Sequence, residues 1–573
     1  MLFNIEINDQ QVSARRGETI LTVLNRNGFR VPTLCYLAKF SPTGSCRMCV
    51  VELEGMTELV PACSHPAEEW MKIRTHSPRV LKARKTLVEL LLSSHPDDCL
   101  YCSRTGTCEL QGLASELNVT ERIYRPKRTL VQIDKSCPSI ERDPAKCILC
   151  GRCIRVCDDI IQVSAIEIIG RGSKSRIGTS HNKGLNTKNC IKCGQCIMVC
   201  PTNALSERSA IRTVTEALQN KSLFPVVEIS PVVAASIGEE FGIKSGKEIP
   251  ELINTALKKI GFRQVFDMAF AEDLVITEMA AEFTERLSAG GPLPLFLSNC
   301  PSFNWYLETS RPGMVSKLSN VTSPQQVMGR IIKKFITRSS GVQPENIFVA
   351  SVTPCTADKH EAGNDLIPGG KERYVDAVLT TRELVRLIRL LGIDFASLEP
   401  EPSETPFSLG SSSGKLAGIT GGTLEGLLRT LVPLLNGVEG TIQKNNDLRG
   451  LKGIKESKLK AGKMALHVAA VSGLSNARSL LDQIEAGRND LHIVEVMACP
   501  NGCINGGGQR IGSQEKNIKS RMKVLYDIDD EEMIRTAHRN PVAMDFYEKF
   551  LGKPFSKENR EIFCTNRIQP VTP

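Results

Sequence analysis

Alternation between apolar and polar positions marks the first part of the chain. The opening segment MLFNIEINDQQV alternates as a strand does, and glycine and proline residues separate the runs that follow. This pattern predicts a small mixed β domain, with a β-grasp fold, over residues 1–80. Ser77 and Pro78 then predict a helix start, because Ser is a good cap and Pro suits the first helical position. Apolar residues at helical spacing extend this helix to Ser94.

Beyond about residue 209, strand-like runs alternate with amphipathic helices, which predicts one large α/β domain over residues 210–573. Thr380 and Glu383 form a capping box at the start of one of these helices, and Gly392 ends it. The strand candidates are the apolar runs 225–229, 294–298, 347–352 and 491–498. Ligands of open α/β sheets bind beyond the carboxyl ends of strands. The last three candidate strands lead directly into loops that carry cysteine.

The composition is that of a globular protein, with 41% hydrophobic and 24% charged residues in a chain of 573. A chain of this length is expected to form several domains. The sequence contains no apolar run long enough to span a membrane, so we predict no membrane span. The first residues lack the basic-then-apolar layout of a signal peptide, which predicts a cytoplasmic protein.

The sequence has 21 cysteines, and in a cytosolic chain clustered cysteine is typical of metal binding or catalysis. The first set is Cys35, Cys46, Cys49 and Cys63. A C-x2-C pair lets two sulfurs from one loop hold one iron, as in two-iron ferredoxins, which have a shorter first gap. Zinc is the alternative, although structural zinc sites usually pair two short C-x2-C units. We therefore predict a 2Fe–2S centre in this domain.

The second set consists of His95, Cys99, Cys102 and Cys108. Three cysteines need a fourth donor to complete a 4Fe–4S cube, and His95 lies four residues before the first of them. Zinc would also accept three cysteines and one histidine. The position of this set between two other cluster modules favours 4Fe–4S, in a small domain over residues 81–125.

A repeated C-x2-C-x2-C-x3-C run follows, of the kind found in bacterial ferredoxins with two 4Fe–4S clusters. In those ferredoxins the fourth cysteine of each run binds the cluster of the other run. The pattern predicts a two-cluster domain over residues 126–209. Cluster one would be held by Cys147, Cys150, Cys153 and Cys200, and cluster two by Cys190, Cys193, Cys196 and Cys157.

The formal net charge of +9 does not point to a nucleic acid. Lysine and arginine are scattered along the chain rather than gathered into one tract, so we predict no nucleic-acid partner. Cluster-bound thiolates would offset much of the positive charge. A basic face would still attract an acidic electron-carrier protein.

Three loops of the α/β domain carry the remaining clustered cysteines, Cys300, Cys355, Cys499 and Cys503. Their sequences are NCP, TPCT and EVMACPNGCINGGG, and they resemble the three signature loops of FeFe-hydrogenases. The order of the N-terminal cluster modules is similar to that of the larger monomeric members, so the resemblance spans essentially the whole chain. Only Cys137 and Cys564 are left over, and an ordinary free thiol is the default interpretation of each.

The resemblance implies an H-cluster, in which a 4Fe–4S cube held by these four cysteines is joined to a di-iron unit carrying CO, cyanide and a bridging azadithiolate. By position, Cys503 would be the bridging ligand. One 2Fe–2S and three accessory 4Fe–4S clusters would complete the relay. Outer residues that match the family, and that are implied to contact the cofactor, are Pro231, Ser323, Pro324, Gln325 and Met497. Packing is the competing explanation for each of them taken singly.

The sequence departs from the family where protons are relayed. The usual thiol before the first ligand is replaced by Asn299, and the next carboxylate of the usual relay by Met279. A carboxamide does not titrate near neutral pH, and a thioether carries no proton. The outer members that the family implies, Ser319, Glu282 and Arg286, are retained. The sequence therefore predicts a proton path that is broken at its two inner positions.

Other departures surround the cofactor position. Asp358 stands where the family has a lysine that hydrogen-bonds a cyanide ligand, so either Lys359 takes this role or the loop differs. Thr353 and Ala417 replace bulky apolar residues, and Ser230 and Val232 exchange the order of small polar and apolar residues around Pro231.

The resemblance implies reversible H2 oxidation and proton reduction, with a ferredoxin or flavodoxin-like carrier and with maturation proteins as partners. No Gly-rich dinucleotide fingerprint follows a strand, which argues against direct use of NAD. Three other hypotheses stay open: an H2-sensing or regulatory protein, an electron-transfer subunit, and a cluster-assembly relative without the di-iron unit. The full set of electron-relay ligands favours the enzyme.

Overall fold

The computed structural model describes residues 2–38, 40–126, 131–243, 248–364, 373–402, 407, 409–437, 444–462, 464–512 and 514–564. The strands are β1 Leu2–Ile7, β2 Gln10–Arg15, β3 Val50–Leu53, β4 Val60–Pro61, β5 Lys72–Arg74, β6 Ile140–Arg142, β7 Glu167–Ile169, β8 Arg176–Gly178, β9 Leu205–Glu207, β10 Phe224–Ile229, β11 Gln264–Asp267, β12 Leu295–Phe296, β13 Ile347–Thr353, β14 Ala377–Thr380, β15 Ile454–Ala461, β16 Met464–Ser472 and β17 Ile493–Met497.

The α-helices alternate with these strands in the second half of the chain, as the pattern predicts. They are α1 Ile20–Arg26, α2 Pro78–Ser94, α3 Glu109–Glu116, α4 Arg152–Arg155, α5 Gln195–Met198, α6 Ile211–Gln219, α7 Pro231–Ile237, α8 Ile249–Ile260, α9 Ala269–Ser288, α10 Pro301–Ser310, α11 Pro324–Ser340, α12 Asp358–Asn364, α13 Thr381–Leu390, α14 Ser412–Leu416, α15 Gly422–Asn436, α16 Leu474–Glu485, α17 Glu515–Glu531, α18 Pro541–Phe546 and α19 Arg560–Phe563. None of the helices in the described ranges is both long and apolar enough to cross a membrane.

A five-stranded mixed sheet in the order β2-β1-β5-β3-β4 forms the N-terminal domain, which confirms the predicted β-grasp fold. The apolar face of α1 packs on this sheet and buries Ile20, Leu21 and Val23. The predicted helix α2 begins after Ser77, whose hydroxyl accepts from the backbone of Val80, and it ends at Ser94. In the following two-cluster domain, two antiparallel pairs, β6-β9 and β7-β8, frame the cysteine runs.

Two four-stranded sheets build the large domain. One is fully parallel, in the order β11-β10-β13-β14, and the other has the order β12-β17-β16-β15 with only β15 antiparallel. Helices α9 and α11 pack between the sheets and contribute buried apolar residues to one continuous core. The carboxyl ends of β10, β12, β13 and β17 point to the same region of the domain. This is the edge at which the sequence predicts ligand binding.

The strand predictions are confirmed, with two corrections in length, since the run 491–498 forms a strand only over Ile493–Met497. The run 294–298 pairs only through Leu295 and Phe296, which lie opposite Ile493 and Val494. The chain then leaves the sheet, because the Ser298 hydroxyl donates to the carbonyl of Val321. The capping box at Thr380 and Glu383 is present as predicted.

A buried ion-pair network joins α15 to α17. The Asp529 carboxylate accepts from Arg429 at 2.7 Å and also pairs with Arg449, while Arg429 also reaches Glu425 at 2.7 Å. These partners hold the pKa of Asp529 below its ordinary value, against the opposing effect of burial. Removing one partner of such a network leaves an uncompensated buried charge.

We expect Asp529→Ala to lower the free energy of unfolding by about 3–5 kcal/mol, because Arg429 and Arg449 lose their shared carboxylate. Glu515→Gln, which breaks the exposed pair with Lys519, should cost no more than about 1 kcal/mol and is the control. Since the folded-state pKa of Asp529 is lowered, its contribution is present at neutral pH and is lost only as the pH falls through that value. Urea unfolding of the two variants at pH 7 measures the difference, and equal midpoints would contradict the expectation.

Candidate active site

A cavity of about 750 Å³ lies where the two sheets of the large domain meet. Its wall contains all four cysteines of the three signature loops, Cys300, Cys355, Cys499 and Cys503. Residues from the start of α7, from α9, from α11 and from the loop around Ala417 complete the wall. The structure therefore brings together four thiols that are separated by more than 200 positions in the sequence.

Each cysteine is positioned by the end of a strand or the start of a helix. Cys300 caps α10 directly before Pro301, which takes the first helical position. The backbone N–H of Cys355 donates to the hydroxyl of Thr353, the last residue of β13, at 3.1 Å. Cys499 follows β17, and the N–H of Cys503 donates to the carbonyl of Gly418 at 2.8 Å.

Two glycines allow the loops around the cavity to approach each other closely, because a glycine has no side chain. A Cβ at Gly506 would lie 2.4 Å from the carbonyl oxygen of Pro354, which is too close for any other residue. A Cβ at Gly418 would lie 2.2 Å from the side chain of Val232, and this glycine also has a positive φ. Close packing around the cavity therefore requires glycine at these two loop positions.

The chemistry of the wall fits an iron–sulfur cofactor. Burial raises the pKa of Cys355, Cys499 and Cys503, so these thiols are protonated until a metal displaces the proton. Two buried amide oxygens, Asn299 Oδ1 and Gln325 Oε1, have no hydrogen-bond partner among the described residues. In the described part of the chain, no three His, Cys, Asp or Glu side chains converge closely enough to hold a single metal ion. Four thiols around a larger space suit a cluster instead.

Asn299 lies at the cavity wall and contacts a carboxyl group that the sequence interpretation missed. Its amide nitrogen donates to Glu272 Oε2 at 3.4 Å and to the Thr423 hydroxyl at 3.5 Å. Both Glu272 and Thr423 line the cavity. Glu272 lies seven residues before Met279 on α9, about two helical turns away and on the same face of the helix. A carboxyl group two helical turns before Met279 on the same helix is the sequence signal that would have identified Glu272.

The outer members of the predicted relay do form a hydrogen-bonded group. The hydroxyl of Ser319 donates to Glu282, and Arg286 donates to the same carboxylate at 2.7 Å. Glu282 is buried, and Arg286 also donates to the carbonyl of Leu318. Met279, one turn before Glu282 on α9, is fully buried in the apolar core. Nothing on the Met279 side chain can pass a proton to this group.

Of the two alternatives for the family lysine, the contacts of Lys359 favour a different loop arrangement. The Lys359 amine forms an ion pair with Glu383 at 2.8 Å and donates to the carbonyl of Val378, so it is committed to α13 and β14. Asp358 does line the cavity, where it accepts from the Thr353 hydroxyl. Burial raises the pKa of Asp358 to about 6.

The remaining predicted contacts divide between the cavity and its surroundings. Ser323, Pro324, Gln325 and Met497 line the cavity, whereas Pro231 lines a neighbouring cleft. Ser230 and Val232 line the cavity in its place. Pro231 is turned away because it occupies the first position of α7, with Ser230 as the cap residue. The hydroxyl of Ser323 donates to Glu361 at 2.6 Å.

Several of the accessory cysteines lie close to one another in the structure. In the N-terminal domain, Cys35 is within hydrogen-bonding reach of Cys46, and Cys49 of Cys63. Cys147, Cys150, Cys153 and Cys200 together line one cavity of about 430 Å³. Cys157 of the first run lies near Cys193 and Cys196 of the second run. His95 is buried at the end of α2, and Cys99, Cys102 and Cys108 follow it before α3.

Cys137, a free thiol, lies next to one of the cysteine runs. It is fully buried, and its thiol lies within hydrogen-bonding reach of Cys190, which belongs to the second cysteine run. Cys564 lies apart from the cysteine sets and pairs with Val321 through a single β-bridge.

The two-cluster domain packs directly against the loops of the cavity. The thiol of Cys499 lies 3.9 Å from the carbonyl oxygen of Cys193. The hydroxyl of Thr356, next to Cys355, donates to the carbonyl of Lys192 at 2.7 Å, and Gln195 donates to the carbonyl of Asn505 at 2.9 Å. Arg382 on α13 bridges Gly507 and Glu207 at 2.7 Å each. The second cysteine run is thereby placed beside the cavity.

Five family profiles match successive parts of the chain. They are the 2Fe–2S iron–sulfur cluster binding domain at residues 2–78, the NADH-ubiquinone oxidoreductase-G iron–sulfur binding region at 84–122, the 4Fe–4S dicluster domain at 146–204, the C-terminal domain of the iron-only hydrogenase large subunit at 224–507 and the iron hydrogenase small subunit at 515–566. The last match falls within the region that the sequence pattern assigns to one large domain.

Relatives match over the whole length of the chain. The NADP-reducing hydrogenase subunit HndD of Solidesulfovibrio fructosivorans is 38% identical over 99% of this chain and 98% of its own, and iron hydrogenase 1 of Clostridium pasteurianum is 35% identical over 97% and 98%. Protein NAR1 of Arabidopsis thaliana is 31% identical over 60% of this chain and 78% of its own. A solved structure of FeFe-hydrogenase HydA1 from Chlamydomonas reinhardtii covers 62% of this chain and 98% of its own, with a TM-score of 0.57 and 29% identity. The chain therefore belongs to the iron-only, or FeFe, hydrogenase family.

Proposed function

We propose that this protein catalyses the reversible oxidation of H2 to protons and electrons, and that its N-terminal clusters carry the electrons. The observation that carries the proposal is the cavity walled by Cys300, Cys355, Cys499 and Cys503 and joined to the two-cluster domain through Cys499 and Cys193. A protein that only transferred electrons would not need a second set of four cysteines around so large a space. The residues present fit the H-cluster of the family.

Each group of cavity residues has a proposed role. The four cysteines would hold the 4Fe–4S cube, with Cys503 bridging to the di-iron unit, which when bound supplies the site for heterolytic cleavage of H2. The orphaned amide oxygen of Gln325 and the thioether of Met497 face the space beside it. The apolar side chains of the wall exclude water and strengthen every hydrogen bond inside.

The proposed electron route follows contacts between domains. Cys108 in the His–Cys set lies 3.7 Å from the carbonyl of Pro201, the neighbour of Cys200 in cluster one. Arg104 donates to the carbonyl of Cys200 itself at 3.2 Å. From cluster two the route continues through Cys193 to Cys499. The electron partner is proposed to be a ferredoxin or flavodoxin-like protein, docking at the N-terminal domains. The assignment of individual ligands and of the domain boundaries at 80, 125 and 209 stays a prediction.

Infrared spectroscopy of the purified protein, matured with the hydrogenase assembly factors, tests the proposed function. We expect CO and cyanide stretching bands that shift under H2, together with H2 evolution from a reduced dye. Their absence from fully cluster-loaded protein would favour the second candidate, a cluster-assembly protein. That candidate is kept because the NAR1 relative matches 60% of the chain. Bands with very slow turnover would favour an H2-sensing role.

The amide at position 299 is proposed to limit the rate, because it relays no proton of its own near neutral pH. We expect Asn299→Cys to raise the rate of H2 evolution severalfold, since a thiol with a pKa near 8.5 exchanges protons with the neighbouring Glu272. Asn299→Ser is the matched control, because the serine hydroxyl is close in size to the cysteine thiol but does not ionise near neutral pH. Turnover per matured site measures the effect. An unchanged rate in the cysteine variant would contradict this explanation.

A further inference from the structure

Helix α9 contributes Glu272 to the cavity wall. Protons have two candidate routes along this helix, one towards each of its ends. Towards its C-terminal end, the side chain of Met279 fills the core and separates the cavity from Glu282. Towards its N-terminal end, Glu272 in the first turn faces the cavity. Apart from the thiols, Glu272 and Asp358 are the titratable side chains among the described residues of the wall.

The two carboxyl groups differ in what they contact. Asp358 accepts from Thr353 and lies beside the ligand Cys355, so it is tied to the loop that holds the cluster. Glu272 has Asn299 and Thr423 as its polar neighbours, and Asn299 occupies the position next to Cys300. Glu272 is therefore the carboxyl group that can exchange a proton with the side of the cavity where Asn299 lies.

The surroundings of Glu272 favour its protonated form. Burial, together with the charges of Asp273 on the same helix, Glu495 on β17 and Asp358 after β13, raises the pKa of Glu272 well above its ordinary value. A protonated carboxyl can donate a hydrogen bond. The buried Asn299 Oδ1, which has no partner among the described residues, accepts it once the amide is rotated.

An open cleft of about 1510 Å³ lies on the other side of the cavity wall. Ser230 lines both the cavity and the cleft, and its hydroxyl is not used to cap α7. Asp267, directly before α9, lines the cleft with Lys415 and Glu532, which form an ion pair at 2.5 Å. Ser230 therefore lies between the cavity and a cleft whose charged groups exchange protons with water.

We infer that Glu272 is the residue that carries protons to and from the active site, and that they enter from the cleft past Ser230 and Asp267 rather than past Glu282. This inference rests on the proposed function. In each transfer one proton leaves the Glu272 carboxyl, passes Asn299 and is taken up at the cofactor side of the cavity, and one proton from water in the cleft replaces it on Glu272. The direction reverses when H2 is oxidised. The proposed proton route therefore passes the N-terminal end of α9, whereas Met279 blocks the route towards the C-terminal end.

Glu272→Gln is the decisive variant, because glutamine keeps the size and the hydrogen-bond acceptor but carries no titratable proton. We expect H2 evolution to fall at least about 100-fold, as for loss of a general acid, with CO and cyanide bands unchanged in number. Glu278→Gln is the matched control. Glu278 is a buried carboxyl on the same helix, but it accepts from the Tyr547 hydroxyl at 2.7 Å and does not belong to the cavity wall. Near-normal turnover in Glu272→Gln would overturn the inference.

A direct readout of the carboxyl group separates this inference from the proposed function. In infrared difference spectra recorded on cluster-loaded protein with and without reductant, we expect a protonated carboxyl band that shifts in D2O. This band should be missing in Glu272→Gln and present in Glu278→Gln. Its persistence in Glu272→Gln would overturn the inference even if the H2 chemistry is confirmed. A wild type without CO and cyanide bands would instead refute the proposed function.

The direction of the route is tested by rescue. Adding Asn299→Cys and Met279→Glu to Glu272→Gln builds a thiol and a carboxyl group towards Glu282, and we expect at least about a tenfold recovery of turnover. Asp267→Asn, which keeps the cap that Asp267 Oδ1 gives to the N–H of Ala269 at 2.9 Å, should slow the otherwise unchanged enzyme severalfold. An Asp267→Asn variant at full rate would overturn entry through the cleft.

Discussion

Cys503→Ser is expected to abolish H2 turnover while leaving the N-terminal clusters intact. Cys503 lies in the cavity wall, and its backbone is fixed by the carbonyl of Gly418 at 2.8 Å, so the variant loses the sulfur without losing the loop. A serine oxygen is a hard, poorly ionised donor, whereas iron in these clusters is held by thiolate. The CO and cyanide bands should be absent, and the paramagnetic signals of the reduced accessory clusters should remain.

Cys564→Ser is the control for this experiment, because Cys564 is a half-buried thiol outside every cysteine set and its region is held by backbone pairing with Val321. It should mature and turn over as the wild type does. If Cys503→Ser retains its CO and cyanide bands, another residue bridges the cofactor and the assignment by resemblance is wrong. If both variants lose all clusters, the loss reflects folding rather than ligation.

Local patterns in the sequence were sufficient to predict the iron–sulfur domains and their order along the chain. A C-x2-C run binds through neighbouring sulfurs, so its spacing alone carries the chemistry, and the strands before Cys300, Cys355 and Cys499 were recognisable by their apolar runs. Local patterns do not reveal the direction in which a side chain points. Lys359 could not be placed from its position beside Asp358, because its amine is drawn to Glu383, a buried partner distant in the sequence.

Glu272 shows the same limit from the opposite side. Its chemistry is visible in the sequence, but its role depends on Asn299 being brought within 3.4 Å by a separate strand. Pro231 was assigned to the cofactor, and the helix cap at Ser230 instead turns it towards the cleft. The long-range packing of the two sheets decides which side of the wall each of these residues faces. That packing is not encoded in any one segment.

The contact between the two-cluster domain and the active-site loops leads to the second large prediction, for Gly507→Ala. A Cβ at Gly507 would lie 2.2 Å from the carbonyl oxygen of Cys193 and 2.6 Å from Cα of Gly194. Both are backbone atoms, and Gly194 is already held at a φ of +68°, so the loops must separate. We expect dye-linked H2 evolution to fall at least about tenfold, an effect on the barrier of about 1.4 kcal/mol.

We expect Gly507→Ala to impair electron transfer only. Isotope exchange distinguishes this loss from damage to the active site. Exchange between H2 and D2O takes place at the active site without net electron transfer, so Gly507→Ala should retain most of its exchange activity. Gly313→Ala is the matched control, because a Cβ there meets nothing within 4 Å. A fall in exchange as large as the fall in dye-linked evolution would contradict the proposed route from Cys193 to Cys499. Retained exchange with lost evolution would show that electrons reach the cavity through this contact, and that proton transfer to the cavity does not depend on it.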